Sequence, residues 1–335
     1  MSQPTVSVIV ATFNEEANID HVLDVALSEA TVVEALVADG GSSDATIGRV
    51  LARSEIDPRV RLLDNPDQGQ SAGLNRAANH ATGDLLVRLD AHTRYADDYV
   101  ATSLASWAPA TAVGGPMLAE GDTKWAQAVA LAMKNPLAIG PARFRHANKV
   151  EEVDTVYLGT FERERFLDLG GYRTFPSGTV EDTDFYSRWR AAGGTVIVNP
   201  AIVSWYKPRS TWRDILRQYF RYGVGKAELV WLNGRLPTPR PLAPVVFVAA
   251  LAVTGLIAIG WRRAGWTWIP LAALGAIWVG ALGSVAARAK KFRLRTAIVA
   301  GTMHLAYGAG FWKGLVSGRP KVKTLGMVET SDVSD

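Results

Sequence analysis

Apolar, β-branched segments alternate with helix-periodic segments from residue 5 to residue 92, and this alternation is the strongest constraint on the fold. Strands are predicted for TVSVIVATFN, VEALVADG, RVRLLDN and GDLLVRLDAH, with apolar residues three or four positions apart marking the helices between them. Such a series folds into a parallel sheet covered by helices, and ligands bind beyond the carboxyl ends of its strands. The sequence therefore predicts an α/β domain whose binding edge carries Asn14, Asp39 and Asp90.

The pattern is less regular between Tyr99 and Tyr206. Short strands are predicted for AVGGPML, VDTVYLGT and TVIVNP, and a helix for EDTDFYSRWRAAGG, which begins with acids and ends at two glycines. The next segment, TWRDILRQYFRYGVGKAELVW, places Arg213, Arg217 and Arg221 four residues apart among aromatic residues. This spacing puts the arginines on one helix face and is typical of a helix that lies at a membrane interface.

Two later segments are each long enough to cross a bilayer and contain no charged residue: LAPVVFVAALAVTGLIAIGW and WTWIPLAALGAIWVGALGSVAA. We interpret both as transmembrane helices. A third segment, TAIVAGTMHLAYGAGFWKGLV, is compatible with a third span, a re-entrant element or an interfacial helix. The basic loop RAKKFRLR favours the cytoplasmic side, and the start of the chain shows no cleavable signal peptide, so we expect a cytoplasmic N-terminal domain.

These features predict four regions. Residues 1–232 form the cytoplasmic domain, and its last part, 210–232, is the basic interfacial helix. A Pro-rich linker at 233–244 leads into a membrane domain of two or three hydrophobic helices at 245–318. A polar tail follows at 319–335.

Composition excludes several classes of protein. The net charge is +4, with eight basic residues concentrated between Trp205 and Arg240; no nucleic-acid-binding module is recognisable, so a membrane surface is the expected anionic partner. The chain has no cysteine, so a metal would be held by carboxylate, imidazole or ligand oxygens. The absence of G-x-G-x-x-G after the first strand and the incomplete P-loop GVGKAE argue against dinucleotide oxidoreductases and P-loop NTPases.

Acidic residues at two predicted strand ends each have a structural and a functional interpretation. Asp39 is either part of a turn or a hydrogen-bond acceptor for a base or ribose. Asp90 and His92 are either loop residues or ligands of one divalent cation, since side chains two positions apart in an extended segment share a side. His92 suits Mn²⁺ better than Mg²⁺ because imidazole is an unusual Mg²⁺ ligand.

Three acids, Glu181, Asp182 and Asp184, occupy the first turn of a predicted helix. They either favour the helix dipole or raise one another's pKa values, which is how a general base for near-neutral pH arises. A further face of the basic helix shows an amide, a guanidinium and a phenol, compatible with ordinary amphipathicity or with diphosphate binding. These three residues are Gln218, Arg221 and Tyr222.

Taken in order, these motifs resemble those of family 2 glycosyltransferases, which have the GT-A fold. The resemblance rests on SVIVATFNEE, VADGGSSDAT, GQSAGLNRAANHATGDLLVRLDAH, GTFERERFLDLGGY, EDTDF and QYFRY. These motifs cover most of Val6 to Gly225. Within the family, the DAH form and the hydrophobic helices that follow are similar to membrane-associated exopolysaccharide enzymes of the succinoglycan type.

The resemblance implies a GT-A nucleotide-sugar-binding fold with a mostly parallel sheet, followed by C-terminal transmembrane helices. It implies a catalytic base at Asp182 beside Glu181, a metal, Mn²⁺ or Mg²⁺, on Asp90 and His92, and an acceptor side at Gly159 and Thr160. The nucleotide-sugar-binding positions that it implies are Asn14, Glu16, Asp39, Asp44, Asp90, Gln218, Arg221 and Tyr222.

The activity implied is that of an inverting hexosyltransferase at the inner or cell membrane, with the catalytic domain in the cytoplasm. It would move a sugar from a nucleoside-diphosphate sugar, preferably a UDP-sugar, to a hydroxyl of a lipid-linked saccharide or polysaccharide. Two alternatives remain open at this point: a polyprenyl-phosphate glycosyl synthase, and a membrane-tethered nucleotide-sugar-binding scaffold without turnover. The sugar, the linkage, processivity and the oligomeric state are not determined by the sequence.

Overall fold

The structure is a computed structural model that describes residues 3–140, 143–234, 236, 239, 242–262 and 264–324. Its internal contacts divide the chain into two compact units. Unit 1 contains the described residues of 3–118, 143–206 and 321–324, and unit 2 contains those of 119–140 and 207–320.

The helices and strands follow the chain in this order. The segment up to residue 119 contains β1 (Val6–Thr12), α1 (Ile19–Ala26), β2 (Val32–Asp39), α2 (Thr46–Ile56), β3 (Val60–Asp64), α3 (Gln70–His80), β4 (Leu85–Asp90), β5 (Thr93–Tyr95), α4 (Tyr99–Ser106), β6 (Thr111–Gly115) and β7 (Met117–Ala119). The middle segment contains α5 (Lys124–Met133), α6 (Pro136–Ile139), α7 (Arg143–His146), β8 (Glu151–Glu152), β9 (Tyr157–Glu162), α8 (Arg163–Asp168), α9 (Glu181–Ala191), β10 (Thr195–Val198) and β11 (Ser204–Tyr206). The last segment contains α10 (Trp212–Asn233), α11 (Leu242–Gly260), a 3₁₀ helix (Gly265–Trp268), α12 (Ile269–Arg288) and α13 (Arg293–Val316).

Unit 1 is built on a mixed sheet in which eight strands lie within the described residues, in the order β3-β2-β1-β4-β9-β6-β10-β8. β1 pairs in parallel with β2 and β4, β2 with β3, and β6 with β10. β9 runs antiparallel between β4 and β6, and β8 is antiparallel to β10 at the edge. The predicted α/β fold with a mostly parallel sheet is confirmed, and β9 and the short edge strand β8 are its antiparallel members.

The core of unit 1 lies on both faces of this sheet because the central strands are apolar on both sides. In β1, Val8 and Val10 pack in the cluster that includes α1, whereas Ile9 packs in the second cluster. The second cluster is aromatic, with the ring centroids of Phe161 and Phe185 5.1 Å apart. A strand that is buried on both faces reads as a continuous apolar run, which explains the uninterrupted sequence of β1.

The parallel strands bring their carboxyl ends to one edge of the sheet. Ala11 of β1 lies opposite Asp90 of β4, and Thr12 lies opposite Asp39 of β2. Asp39 in turn lies opposite Asp64 of β3. The acids that sequence analysis assigned to separate strand ends therefore share one edge, as the predicted topology requires.

Unit 2 is helical, and α13 packs along α10 with the two backbones in close contact. A Cβ added at Gly223 of α10 would lie 2.0 Å from the carbonyl oxygen of Tyr307, and one at Gly310 of α13 would lie 2.0 Å from that of Phe220. Only glycine permits this approach, which is the packing typical of small residues between membrane helices. The third hydrophobic segment is thus a helix of the packed unit; of the described helices only α11 and α12 with its 3₁₀ turn pass the length and hydropathy test for a span.

The two candidate spans are exposed apolar helices. In their most apolar windows only 11% and 6% of the residues are buried, whereas a core helix of a soluble protein is mostly buried. Aromatic residues flank the turn between them, with Trp261 and Trp266 each 66% exposed. Exposed apolar surface of this length with tryptophans at its end matches a hydrophobic span and its interface belt.

The observed division into two units groups three segments differently from the predicted regions. The basic helix α10 belongs to the helical unit and not to the unit that holds the sheet, and so does the segment 119–140 with α5 and α6. Residues 321–324, which we assigned to a polar tail, belong to unit 1. Five of the twelve residues of the predicted linker at 233–244 lie outside the described residues.

Candidate active site

The turn after β2 is built around the carboxylate of Asp39. Asp39 is buried, its Oδ1 accepts the N–H groups of Gly41 and Ser42 at 2.9 and 2.7 Å, and its Oδ2 accepts the Ser42 hydroxyl at 2.6 Å. An ionised carboxylate offers about four lone-pair positions, so the turn uses three of them. Asp39 is therefore part of the turn, as in its structural interpretation, and its contact with a base or ribose stays a prediction.

The loop after β1 is fastened to the loop after β2 by side chains predicted to bind the nucleotide. The Asn14 side chain accepts the N–H of Ser43 at 2.8 Å. Glu16 donates its N–H to Asp44 at 3.1 Å and its carboxylate accepts the N–H of Ala45 at 2.9 Å. The structure thus brings Asn14, Glu16 and Asp44 together, and their hydrogen bonds connect the loop after β1 to the loop after β2 at the carboxyl edge.

A buried ion pair lies at the end of β4. The Arg88 Nε lies 2.9 Å from Asp90 Oδ1, and an Nη of Arg88 lies 3.3 Å from Oδ2, with both residues 4% exposed. The two side chains share a face because they are two positions apart in a strand. Burial raises the pKa of Asp90, but the Arg88 guanidinium and then His92 outweigh burial, and the net pKa is lowered. Asp90 is therefore an anion at neutral pH.

Sequence analysis missed Arg88, although its signal was present. A charged residue inside the apolar strand LLVRLD must find a partner when the strand is buried. Arg88 also reaches toward α9, where its Nη lies 3.9 Å from Glu181 Oε1, and its guanidinium lies 5.2 Å from the centre of the Tyr172 ring. One guanidinium therefore links the predicted metal ligand to the predicted catalytic pair.

His92 does not lie on a continuing strand. The chain turns at Ala91 and His92 before β5, so strand alternation does not relate His92 to Asp90. The His92 side chain is 46% exposed, and its Nδ1 lies 4.0 Å from Glu15 Oε1. Among the residues that the structure describes, no three acidic or histidine side chains form a metal-binding cluster. The metal site predicted at this edge consists of Asp90 and His92, so phosphate and water would supply the other ligands.

The three acids at the start of α9 have different surroundings. Val180, which precedes them, has a left-handed backbone at φ 68°, and Glu181 follows with its side chain 13% exposed. Burial, and then the Asp182 carboxylate, raise the pKa of Glu181 to about 7. The prediction that neighbouring acids would raise a pKa at this helix holds for Glu181, with burial as the larger cause.

Asp184 is a structural residue. Its side chain is 1% exposed, and it accepts from Arg173 at 3.2 Å and from Arg188 at 2.9 Å. Arg188 also donates to the carbonyl of Gly171 at 2.7 Å. Both oxygens of Asp184 are thus occupied in fixing α9 to the preceding segment, which leaves Glu181 and Asp182 as the acids of this turn that are available for chemistry.

The raised pKa of Glu181 predicts a specific pH dependence of stability. A carboxyl whose pKa is about 7 in the folded chain and 4.5 in the reference state holds its proton more tightly when folded, so the unfolding free energy falls as pH rises through that interval. Glutamine does not titrate, so the unfolding free energy of Glu181→Gln should lack this fall. From pH 5 to pH 8 we expect the unfolding free energy of the variant to rise by roughly 1–3 kcal/mol relative to that of the unsubstituted protein. Paired unfolding curves in chelator at both pH values measure this difference.

The matched control is Glu164→Gln, because Glu164 is an exposed acid on α8. Its unfolding free energy should follow that of the unsubstituted protein at both pH values. Parallel behaviour of the Glu181 and Glu164 variants would contradict the assignment of the raised pKa.

The predicted acceptor residues Gly159 and Thr160 lie in β9. Thr160 is 1% exposed and pairs with Val87 and Val113 in the two neighbouring strands. A Cβ at Gly159 would lie 2.2 Å from the Tyr186 hydroxyl, which donates to the carbonyl of Leu158. Packing therefore explains the glycine, and an acceptor role for either residue stays a prediction.

The predicted diphosphate-binding residues of the basic helix lie on α10 in unit 2. The Gln218 amide donates to the Tyr222 hydroxyl at 3.0 Å, as expected for positions four apart. Arg221 is exposed, and Arg213 and Arg217 are exposed on the same stripe. The stripe is present as predicted, and its role toward the donor stays a prediction.

Comparisons with known proteins agree with this architecture. The family model for glycosyl transferase family 2 matches residues 7–158. A succinoglycan biosynthesis protein, ExoA, from Rhizobium meliloti is 31% identical over 94% of this chain and 96% of its own length. A dolichyl N-acetylglucosaminyl phosphate diacetamidodideoxyglucuronosyltransferase from Methanococcus voltae is 22% identical over 95% of this chain and 99% of its own length.

A solved structure supports the fold. The mannosyltransferase PcManGT from Pyrobaculum calidifontis, solved with GDP-mannose and Mn²⁺, superposes with a TM-score of 0.58 at 23% identity, over 95% of this chain and 88% of that one. Fold and carboxyl-edge site together define a GT-A glycosyltransferase. The chain belongs to glycosyl transferase family 2. It is a hexosyltransferase of polysaccharide biosynthesis.

Proposed function

We propose that this enzyme moves a sugar from a UDP-sugar to a hydroxyl of a lipid-linked saccharide, with inversion, at the cytoplasmic face of the cell membrane. The observation that carries the proposal is the arrangement around Arg88. One buried guanidinium faces Asp90 at the carboxyl edge of the sheet and Glu181 at the start of α9. A site for a diphosphate and a site for a general base are thereby held side by side.

The donor end suits a divalent cation. Arg88 donates one hydrogen bond to each Asp90 oxygen, so lone pairs remain on both. With His92 as the second ligand, the set of one carboxylate and one imidazole suits Mn²⁺ better than Mg²⁺. The relative PcManGT was solved with Mn²⁺ and a nucleotide sugar. A bound ion there would supply positive charge beside the departing diphosphate.

The acid pair at the start of α9 supports single displacement. The acceptor oxygen forms a bond to C1 of the sugar, the bond from C1 to the diphosphate oxygen breaks, and its electron pair leaves with the nucleoside diphosphate. The acceptor proton passes to Asp182, while Glu181, with its pKa near 7, keeps the pair from carrying two full charges at neutral pH. Attack on the face opposite the leaving group inverts the anomeric centre.

The acceptor is proposed from the relatives and the helical unit. The Methanococcus voltae relative is named as acting on a dolichyl-linked sugar phosphate, and the Rhizobium meliloti relative as acting in succinoglycan biosynthesis. Arg213 and Arg217 are exposed on α10, where an anionic lipid diphosphate would be attracted. The basic residues between α12 and α13 favour the cytoplasmic side by the positive-inside rule.

The test is a donor and product assay with the full chain in lipid. Binding and transfer are measured for a panel of nucleotide sugars with Mn²⁺, with Mg²⁺ and with chelator, using lipid-linked saccharide and plain polyprenyl phosphate as acceptors. We expect metal-dependent selection of one UDP-sugar and an inverted linkage on the saccharide. Transfer to polyprenyl phosphate alone would favour the synthase alternative, and no metal-dependent donor binding would overturn the proposal.

A further inference from the structure

We propose that Lys323 is a positioning residue for donor binding, which fastens the β3–α3 loop (residues 65–69) to the segment 172–174 that precedes α9. The proposal rests on the proposed function, because it assigns the donor to the edge that carries Asp39 and Asp90. All the contacts that support it lie within unit 1.

Lys323 makes three contacts with parts of the chain that are far away in sequence. Its N–H donates to the carbonyl of Thr174 at 3.2 Å, and its own carbonyl accepts the N–H of Thr174 at 2.9 Å. Its Nζ lies 3.1 Å from Asp67 Oδ1. The backbone of this one residue is thus paired with the segment before α9, and its side chain holds the β3–α3 loop.

The β3–α3 loop and the first residue of α3 contact both acids of the proposed donor site, Asp39 through its backbone and Asp90 through its carboxylate. At its start, the N–H of Asn65 donates to the carbonyl of Asp39 at 2.8 Å. Directly after its end, the Gln70 side chain hydrogen bonds to Asp90. In between, Gln68 packs against the Asp39 turn, where a Cβ added at Gly40 would lie 3.6 Å from its Cα. A shift of this loop would therefore move both ends of the donor site.

The segment 172–174 is tied to the acid-bearing helix. Arg173 donates to the buried Asp184 of α9, two residues beyond Asp182. Tyr172 exchanges two hydrogen bonds with the side chain of Asn75 on α3, at 2.8 and 2.7 Å. Lys323 therefore connects the β3–α3 loop, through the segment 172–174, to α9, which carries the predicted base.

The expected effect is on donor affinity. The ion pair is exposed, with side-chain exposures of 74% for Lys323 and 50% for Asp67, so its contribution is that of a surface pair. Loss of the pair loosens the loop without touching the reacting atoms. We expect Lys323→Glu and Asp67→Lys each to raise the KM and Kd for the nucleotide sugar about two- to fivefold at unchanged kcat.

A charge-swap experiment on the full chain tests the proposal. Lys323→Glu, Asp67→Lys and the double variant are compared for donor KM, kcat and Kd for UDP with Mn²⁺, with Lys323→Arg as the conservative variant. The double variant and Lys323→Arg are expected to restore the donor constants. Lys321→Glu, which makes the same charge change two residues earlier, is expected to leave them within the error of measurement.

The outcomes separate this proposal from the proposed function. Absence of UDP binding by the unsubstituted protein would overturn the proposed function. Normal UDP binding together with unchanged constants in both single variants would overturn the role of Lys323 alone. Failure of the swap to restore binding, or an equal effect of Lys321→Glu, would show that the lysine acts as a general positive charge toward the anionic donor and would also overturn the positioning role.

Discussion

Asp182→Asn is expected to lower kcat by about 10²–10⁴-fold while donor binding stays within about twofold. Asparagine keeps the shape of the side chain and its position beside Glu181, but it cannot take a proton from the acceptor hydroxyl. The proposed donor site lies at the carboxyl edge, where Asp90 and the Asp39 turn are unchanged in this variant. Single-turnover transfer with saturating donor, together with calorimetric binding of the UDP-sugar, measures the two quantities separately.

The matched control is Asp168→Asn, an exposed acid at the end of α8. It should retain full activity and the same melting temperature. Full transfer by the Asp182 variant would remove this residue from the chemistry, and an accompanying change in the stereochemistry of the product would indicate another reaction course. Loss of donor binding in the variant would place Asp182 on the donor side.

Asp90→Asn is expected to lower metal-dependent donor binding at least about a hundredfold, because a divalent ion beside a diphosphate contributes several kcal/mol. The substitution preserves volume and one acceptor for Arg88, and the guanidinium keeps Glu181 as its second acidic neighbour at 3.9 Å. Binding of the UDP-sugar is titrated at a series of Mn²⁺ concentrations and in chelator.

His92→Asn is the informative companion to that variant. Because imidazole is the softer ligand, His92→Asn should weaken the binding of Mn²⁺ more than that of Mg²⁺ and so reverse or reduce the preference for Mn²⁺.

Equal binding of the UDP-sugar with and without metal in the unsubstituted protein would contradict a metal role for Asp90. A folded Asp90 variant, with a melting transition as sharp as that of the parent, is required for the comparison.

Much of the fold follows from local sequence. Strand and helix periods predicted the first four strands and their shared carboxyl edge, because each element buries its own apolar face in a way that its spacing records. The antiparallel position of β9 was not predictable, since Thr160 and its neighbours are buried equally well in either direction. Likewise, the grouping of α10 with α13 depends on close backbone contact at Gly223 and Gly310, and spacing within one helix carries no information about a partner helix.

For the site, too, local sequence identified candidate residues but not the contacts that distinguish their roles. Asp39, Asp90, Glu181 and Asp182 could be selected from sequence because acids after apolar strands, or at a helix start, are recognisable locally. The different roles of Glu181 and Asp184 could not, because that of Glu181 arises from its burial and that of Asp184 from its ion pairs with Arg173 and Arg188. Arg88 was detectable as a charge within a buried strand, but its double contact was not.

The left-handed backbone of Val180 is expected to link the thermal stability of the enzyme to its catalytic rate. Its left-handed backbone is costly for a β-branched side chain, by about 1–3 kcal/mol, and this residue leads directly into the acid pair of α9. Glycine or asparagine would adopt the same angles at lower cost but would give up the burial of the valine side chain, which is 7% exposed, so laboratory evolution toward thermostability would favour them only where the relief exceeds that loss. In such variants the residue before α9 would have more backbone freedom. We expect their higher thermal stability to be accompanied by a less precisely positioned catalytic base.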